Sequence, residues 1–403
     1  MLFWKKLSQQ LQEWGFEVNP HDWCVVNKTI NGKQCTLLWH VDDLKTSHMD
    51  PEVVNVLEQI NSVFGQDTPI TVRRGKVHEH LGMTLDCRTE GKVKIFMKEC
   101  MSEMLEAIPK DMGGDASTPA ALHLFEVNDT NPQPLEEQRA ILFHHYVAKA
   151  LFLCKRVRPD IQTAVAFLST RVKSPDKDDY KKLKRLMQHL RKTKDIELTL
   201  EADNLRVVKW WIDGSYAVYN DMRSHTGAVM SLGKGAVYGA STRQKLNTRS
   251  STEAKLVGVD NLMGQVMWTW CFLQAQGYDV TDNIVYQDNK SAILLEKNGR
   301  ASAGKRSQHI NVRYFFVTDR IKKNELTVEH CPTKEMTGDC FTKLLQGASF
   351  YKMRNRIMNV QGDNNDDDGW HLVAKRPRHK ATIQSDGPRP QLTVSGPQEC
   401  VGD

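Results

Sequence analysis

VVKWWIDGSYA, residues 207–217, reads as a β-strand that delivers one carboxylate, Asp213, at its end. HTGAVMSLG (225–233) and AVYGASTR (236–243) supply two more short β runs around a Gly-Lys-Gly turn, which predicts a three-strand meander. In 250–277, Leu256, Val259, Leu262 or Met263, Val266, Trp270 and Leu273 share one face of a long helix that stops at Gly277 and carries Glu253 in its first turn. The strand NIVYQ (283–287) then ends at Asp288. A short helix (291–297), a helical segment (309–323), a strand (325–330) and a last helix led by Asp339 (337–345) complete the order βββαβα, helical insert, βα. This is the grammar of an α/β domain with a mixed sheet and flanking helices.

Four carboxylates thus sit at strand ends or helix starts, where a sheet presents side chains to one rim. With no Cys or His in matching positions, such a set suits hard, oxygen-preferring ions, Mg²⁺ or Mn²⁺, rather than zinc. Two such ions about 4 Å apart activate a water and stabilise the leaving oxygen in phosphodiester cleavage. Each acid also has a structural use. Ser250 and Glu253 have capping-box spacing. Asp339 near a helix start gains roughly 0.3–1 kcal/mol from the helix dipole. Asp288 before Asn289 suits a plain strand-to-helix turn.

Upstream, 2–16 spaces its apolar residues as an amphipathic helix closed by Gly15, and 24–48 contains a hairpin at Asn31-Gly32 and a second reversal at Asp42-Asp43. Two adjacent carboxylates on such a turn invite a metal, although Asp favours turns without one. Another hairpin turns near Gly91. Residues 108–136, dense in Pro, Gly, Asn and Asp, read as an exposed linker. Two helices follow, 164–172 and the basic 181–194. Lys181, Lys184, Arg185 and Arg191 of the second could track a phosphate backbone by counterion release, while its leucines supply a packed side. The 359–403 tail is expected to be disordered, and its KRPRHK run (375–380) resembles a nuclear-import patch or a chance basic cluster.

The totals set bounds. Within 403 residues, 40% hydrophobic and 26% charged, there is room for two to three domains. The net charge of +6 permits a nucleic-acid partner without demanding one. Nine scattered Cys with no CxxC pair fit buried fillers in a reducing compartment, cytoplasmic or nuclear. Neither a membrane span nor a signal peptide is expected.

Seven strings stand in one family's order: LLWHVDD (37–43), HHYVAKALFLCKRVRPDIQTAVAFLS (144–169), WIDGSYA (211–217), SSTEAKLVGV (250–259), YQDNKSAI (286–293), KRSQHINVRYFFVTDRI (305–321) and CPTKEMTGDCFTKLLQG (331–347). Together they resemble the reverse transcriptase and ribonuclease H region of copia-type LTR retrotransposon polyproteins, over roughly residues 1–358. The resemblance implies that Asp213, Glu253, Asp288 and Asp339 are the metal-binding acids of a ribonuclease H site, with Asp213 bridging both ions. It also implies that Asp42 and Asp43 are the paired acids of a polymerase palm. That palm requires a third aspartate and nucleotide-holding fingers upstream. About forty residues precede Asp42, so polymerisation by this chain alone is not expected. His40, Gly338 and Leu344 depart from the family's pattern. Arg313 could touch phosphate or pair with an acid; His309 belongs to a family string without a derivable role, and His330 stands where some cellular ribonucleases H carry a histidine.

The expected organisation is a truncated α+β palm and thumb remnant (1–107), a linker (108–136), a helical connection (137–204), a ribonuclease H-like α/β domain (205–358) and the tail. The expected reaction is hydrolysis of the RNA strand of an RNA–DNA hybrid. The alternatives are a remnant that binds nucleic acid without cutting it, or part of a reverse transcriptase completed by another chain.

Overall fold

A computed structural model describes residues 3–48, 53–66, 68–299 and 311–360, without the side chains of 311–315. The tail past residue 360, with its basic run, and His309 lie outside the described residues, as does the side chain of Arg313.

The first helix, α1 (Phe3–Glu13), buries Leu7 and Leu11 and leads through Gly15, at φ +82°, into four antiparallel strands. These are β1 (Glu17–Asn19), β2 (Asp22–Ile30), β3 (Lys33–His40) and β4 (Asp43–Ser47). Asn31 and Gly32, both at positive φ, close the β2–β3 hairpin as the Asn-Gly pair predicts. The second reversal falls on Val41-Asp42, one residue before the expected place, because His40 pairs with Asp43, already part of β4. Helix α2 (Val53–Phe64) covers this sheet through Val53, Val56 and Ile60.

Strands β5 (Val77–His80), β6 (Met83–Asp86) and β7 (Lys92–Phe96) form a second antiparallel set, with Gly91 at φ +72° in the β6–β7 turn, followed by α3 (Lys98–Glu106). Next come α4 (Glu137–Cys154), α5 (Gln162–Arg171) and α6 (Lys177–Lys192). Residues 108–136 are irregular, as their composition predicts, but they are not an exposed linker. Met112, Leu124 and Phe125 are buried in the core that α4, α5 and α6 build. A polar, turn-rich segment can hold a few apolar anchors, and burying them outweighs the solvation of the rest.

Strand β8 (Leu198–Ala202) pairs with β7. Then come β9 (Val207–Ser215), β10 (His225–Ser231), the two-residue β11 (Gly233–Lys234) and β12 (Tyr238–Arg243). After the 25-residue α7 (Ser251–Ala275) follow β13 (Asp282–Gln287), α8 (Lys290–Asn298), α9 (Asn311–Lys322), β14 (Thr327–His330) and α10 (Gly347–Met358). One sheet runs β12-β10-β9-β13-β14, antiparallel on the β10 side of β9 and parallel on the β13 side. The other runs β11-β8-β7-β6-β5. The fold is therefore mixed α/β, with three sheets and ten α-helices among the described residues. None of these helices is long and apolar enough to cross a membrane.

Strand β9 is central and buried on both faces, which explains its nearly unbroken apolar text. Trp210 and Ile212 pack toward Val259 and Val266 of α7, whereas Trp211 packs with Phe341, Met353 and Ile357 on the opposite side. Asp339 does not lead an α-helix. It sits within a 3-10 turn, Thr337–Phe341, tightened by the Asp339 amide donating to Met336 O at 3.0 Å, and the helix that follows begins only at Gly347.

Candidate metal centre

Asp213, fully buried on β9, lies opposite Gly227 of β10. On the other side β13 runs parallel, with Tyr286 level with Trp211. Continuing that register by two residues sets Asp288 beside Asp213, so the parallel pairing itself makes the acids neighbours. The third acid arrives on the 3-10 turn. Gly338 allows it, since a Cβ there would stand 2.9 Å from Trp211 O and 3.3 Å from Asp213 N. Thr163 of α5 donates to Cys340 O at 2.8 Å and Ser241 of β12 donates to Phe341 O at 2.9 Å, fixing the turn from outside. One oxygen from each of Asp213, Asp288 and Asp339 then lies within 4.8 Å of the other two.

Glu253 is not in this group. Its Oε2 accepts from the Arg249 amide at 2.7 Å, while its own amide donates to Ser250 Oγ at 3.2 Å, so it caps the start of α7. In its place the same turn of helix sends in Lys255. Gly214 permits the approach, because a Cβ there would fall 2.5 Å from Ala254 O. The Lys255 ammonium donates to Asp213 Oδ1 and, at 2.6 Å, to Asp288 Oδ1. A second cation, Lys343, lies 2.7 Å from Asp339 Oδ2 and 3.8 Å from Asp213 Oδ2. Thr342 Oγ1 donates to Asp213 Oδ2 at 2.5 Å.

These contacts order the protonation of the cluster. Burial works to raise the Asp213 carboxyl, but Lys255, Lys343 and Thr342 outweigh it and hold it below the usual carboxylate range. Burial likewise opposes the charge on Lys255, and Asp213 and Asp288 reverse that and keep it an ammonium. Asp339, buried and facing the Asp213 charge, is pushed up to about 6 despite Lys343. Its Oδ1 is buried without a hydrogen-bond partner. An all-carboxylate donor set with one orphaned oxygen fits a hard divalent ion.

No family model matches the chain, and no solved structure matches it. Relatives are found among transposon proteins. The Retrovirus-related Pol polyprotein from transposon TNT 1-94 of Nicotiana tabacum is 28% identical over 320 residues, 78% of this chain and 24% of that protein. Those from transposons RE2 and RE1 of Arabidopsis thaliana are each 29% identical over 202 residues, half of this chain and 14% of theirs. The chain is thus similar to retrovirus-related Pol polyproteins of plant transposons, in keeping with the copia-type resemblance of its seven strings. It spans a quarter or less of the length of these relatives.

The remaining expected residues lie elsewhere. Asp42 and Asp43 are exposed at the β3–β4 turn and join no third acid among the described residues. His330 is exposed on β14. On α6, Lys181 is exposed and Lys184 half-buried, but two of the expected phosphate contacts are engaged inside the protein. Arg185 donates to Thr118 Oγ1 at 2.9 Å, and Arg191 to Gly114 O at 3.0 Å. Lys182 joins them, donating to Glu126 O at 2.5 Å. The basic face of α6 thus holds the irregular 112–126 segment through its carbonyls and a hydroxyl. Sequence reading missed Lys255; the available signal was a cation two residues after Glu253, near the start of the same helix.

Proposed function

We propose that this chain is a copia-type Pol fragment that hydrolyses the RNA strand of RNA–DNA hybrids, within a ribonuclease H-like portion spanning residues 205–358. The observation that carries the reading is the convergence of Asp213, Asp288 and Asp339 on one rim of a mixed five-stranded sheet with helices on its flanks. The Pol relatives support the retrotransposon setting. The three aspartates would hold Mg²⁺ or Mn²⁺, which when bound supplies the Lewis acidity that generates the attacking hydroxide and stabilises the leaving oxygen. Asp213, shared by neighbours on both sides, is placed to bridge. Asp339 has the free lone pair. Glu253 can contribute only by releasing the Arg249 amide. Selection of the RNA strand rests on contacts to the 2′-hydroxyl across the shallow groove, with Lys181 and Lys184 free to meet phosphates. The exposed Asp42-Asp43 turn, with no third acid gathered to it, supports taking the buried cluster as the catalytic centre.

A second reading is favoured by one observation, the two ammoniums that already neutralise much of the cluster: a chain that binds hybrids without cutting them. A single experiment separates the two. The purified chain and Asp213→Asn are each incubated with an end-labelled RNA–DNA duplex, in Mg²⁺ or Mn²⁺ and in EDTA. Metal-dependent shortening of the RNA by the parent alone supports the nuclease. Equal retention of intact duplex by both proteins supports the binding reading.

A further inference from the structure

We propose that the Lys255 ammonium is the resident cation of this carboxylate cluster, standing between Asp213 and Asp288, and that a divalent ion must displace it to bind there. This rests on reading the cluster as a metal centre and goes on to say what regulates its occupancy. Three observations carry it. Lys255 makes charge-assisted hydrogen bonds to one oxygen of each of the two acids that the parallel strands set side by side. Its side chain is only 11% exposed, although a lysine's long flexible stem ordinarily carries its ammonium to water. The unpartnered acceptor of the cluster belongs to Asp339, on the side that Lys255 does not reach.

Charge balance gives the consequence. Three carboxylates facing Lys255 and Lys343 carry one net negative charge before any ion arrives. A divalent ion entering beside both ammoniums meets repulsion in a buried site, where screening by salt is weak. An ammonium neutralises and orients carboxylates, but it has no empty orbital to bind a water and lower its pKa. It therefore replaces the ion's charge and not its chemistry. The cluster is stable without metal, binds divalent ions weakly at its Asp213–Asp288 side, and is opened when the flexible four-carbon stem of Lys255 swings out.

The test is calorimetric titration of Mn²⁺ into the full chain and into Lys255→Met, with Asp213→Asn/Lys255→Met locating the heat at the cluster. Thermal melts in EDTA and in Mn²⁺ accompany it. The expected result is Mn²⁺ binding at least about tenfold tighter in Lys255→Met than in the parent, lost in the double variant. In the melts, Lys255→Met alone should fall in EDTA and recover with Mn²⁺, because its acids have lost their counter-charge. Lys255→Gln, which keeps length and a donor, carries the same comparison if the Met variant does not fold. Equal Mn²⁺ affinity in parent and variants overturns this proposal and leaves the hydrolytic reading standing. Absence of Mn²⁺ binding in all of them overturns both.

Discussion

Glu296 and Asp213 are buried to the same depth and titrate in opposite directions, which shows that partners rather than burial decide the state of an acid here. Glu296, on α8, has no hydrogen-bond partner for either oxygen among the described residues, and burial pushes it up to about 8. With a folded value above the ordinary 4.5, its contribution to stability is fully present below about pH 4.5 and is lost as pH rises toward 8. Glu296→Met should therefore raise the melting temperature at pH 8, by the equivalent of roughly 2–4 kcal/mol, and change it little at pH 4.5. Melts at the two pH values check this, and equal shifts at both would refute it. At this scale the sequence made the convergence of three of the four expected acids legible, because strand ends and a helix-like start mark where acids reach a rim. It did not disclose that Glu253 would cap its own helix, although the Ser250 spacing allowed it. Nor did it disclose Lys255, since which cation meets a buried acid depends on how closely Gly214 lets α7 approach β9.

Among elements, those governed by local rules were readable and those governed by packing were not. The Asn31-Gly32 turn and the α7 stop at Gly277 need only backbone at positive φ. Helix α4 falls inside the expected helical connection but is not delimited as an element of its own, although Phe143, Tyr146, Val147, Ala150, Leu153 and Cys154 recur at helical spacing and are buried. Its outward Ile141, Leu151 and Phe152 blur that stripe. Helix α6 was legible as a helix with a basic face, but the use of that face was not, because the 112–126 segment it holds has no periodicity of its own. Besides Arg191, Gln188 donates to Gly113 O at 2.5 Å. Removing the Arg191 contact costs about 1 kcal/mol, discounted for its partial exposure. Arg191→Ala should accelerate limited proteolysis near residues 110–116 several-fold while leaving the global melt within a few degrees. Unchanged cleavage would show that Met112 and Leu124 hold the segment without help.

For the whole molecule, the composition break at 108–136 suggested separable parts, and the pairing of strands joins them instead. The described residues, from 3 to 360, form one compact unit. Strand β8, on the far side of the helices, finds its partner in β7, with Lys92 level with Glu201 and Ile95 level with Leu198. A turn-rich stretch marks where a chain can bend, but pairing across a hundred residues leaves no local mark in the text. The site sheet depends on the same neighbours. Gln162 of α5 donates to Gly239 O of β12 at 2.9 Å, and Thr163 holds the turn that carries Asp339. A fragment limited to residues 205–360 would lose α5 from one side of its carboxylate cluster. It would also leave β11 without its β8 partner, a strand edge of the kind that invites aggregation. A fragment of residues 72–360 keeps β5 to β8, the 108–136 anchors and all of α4 to α6. The longer fragment should therefore be soluble and melt cooperatively, while the shorter one should aggregate or melt without a transition. Gel filtration and a thermal scan on both would decide it, and a cooperative melt of the 205–360 fragment would mean that the acids converge without the helices placed around them.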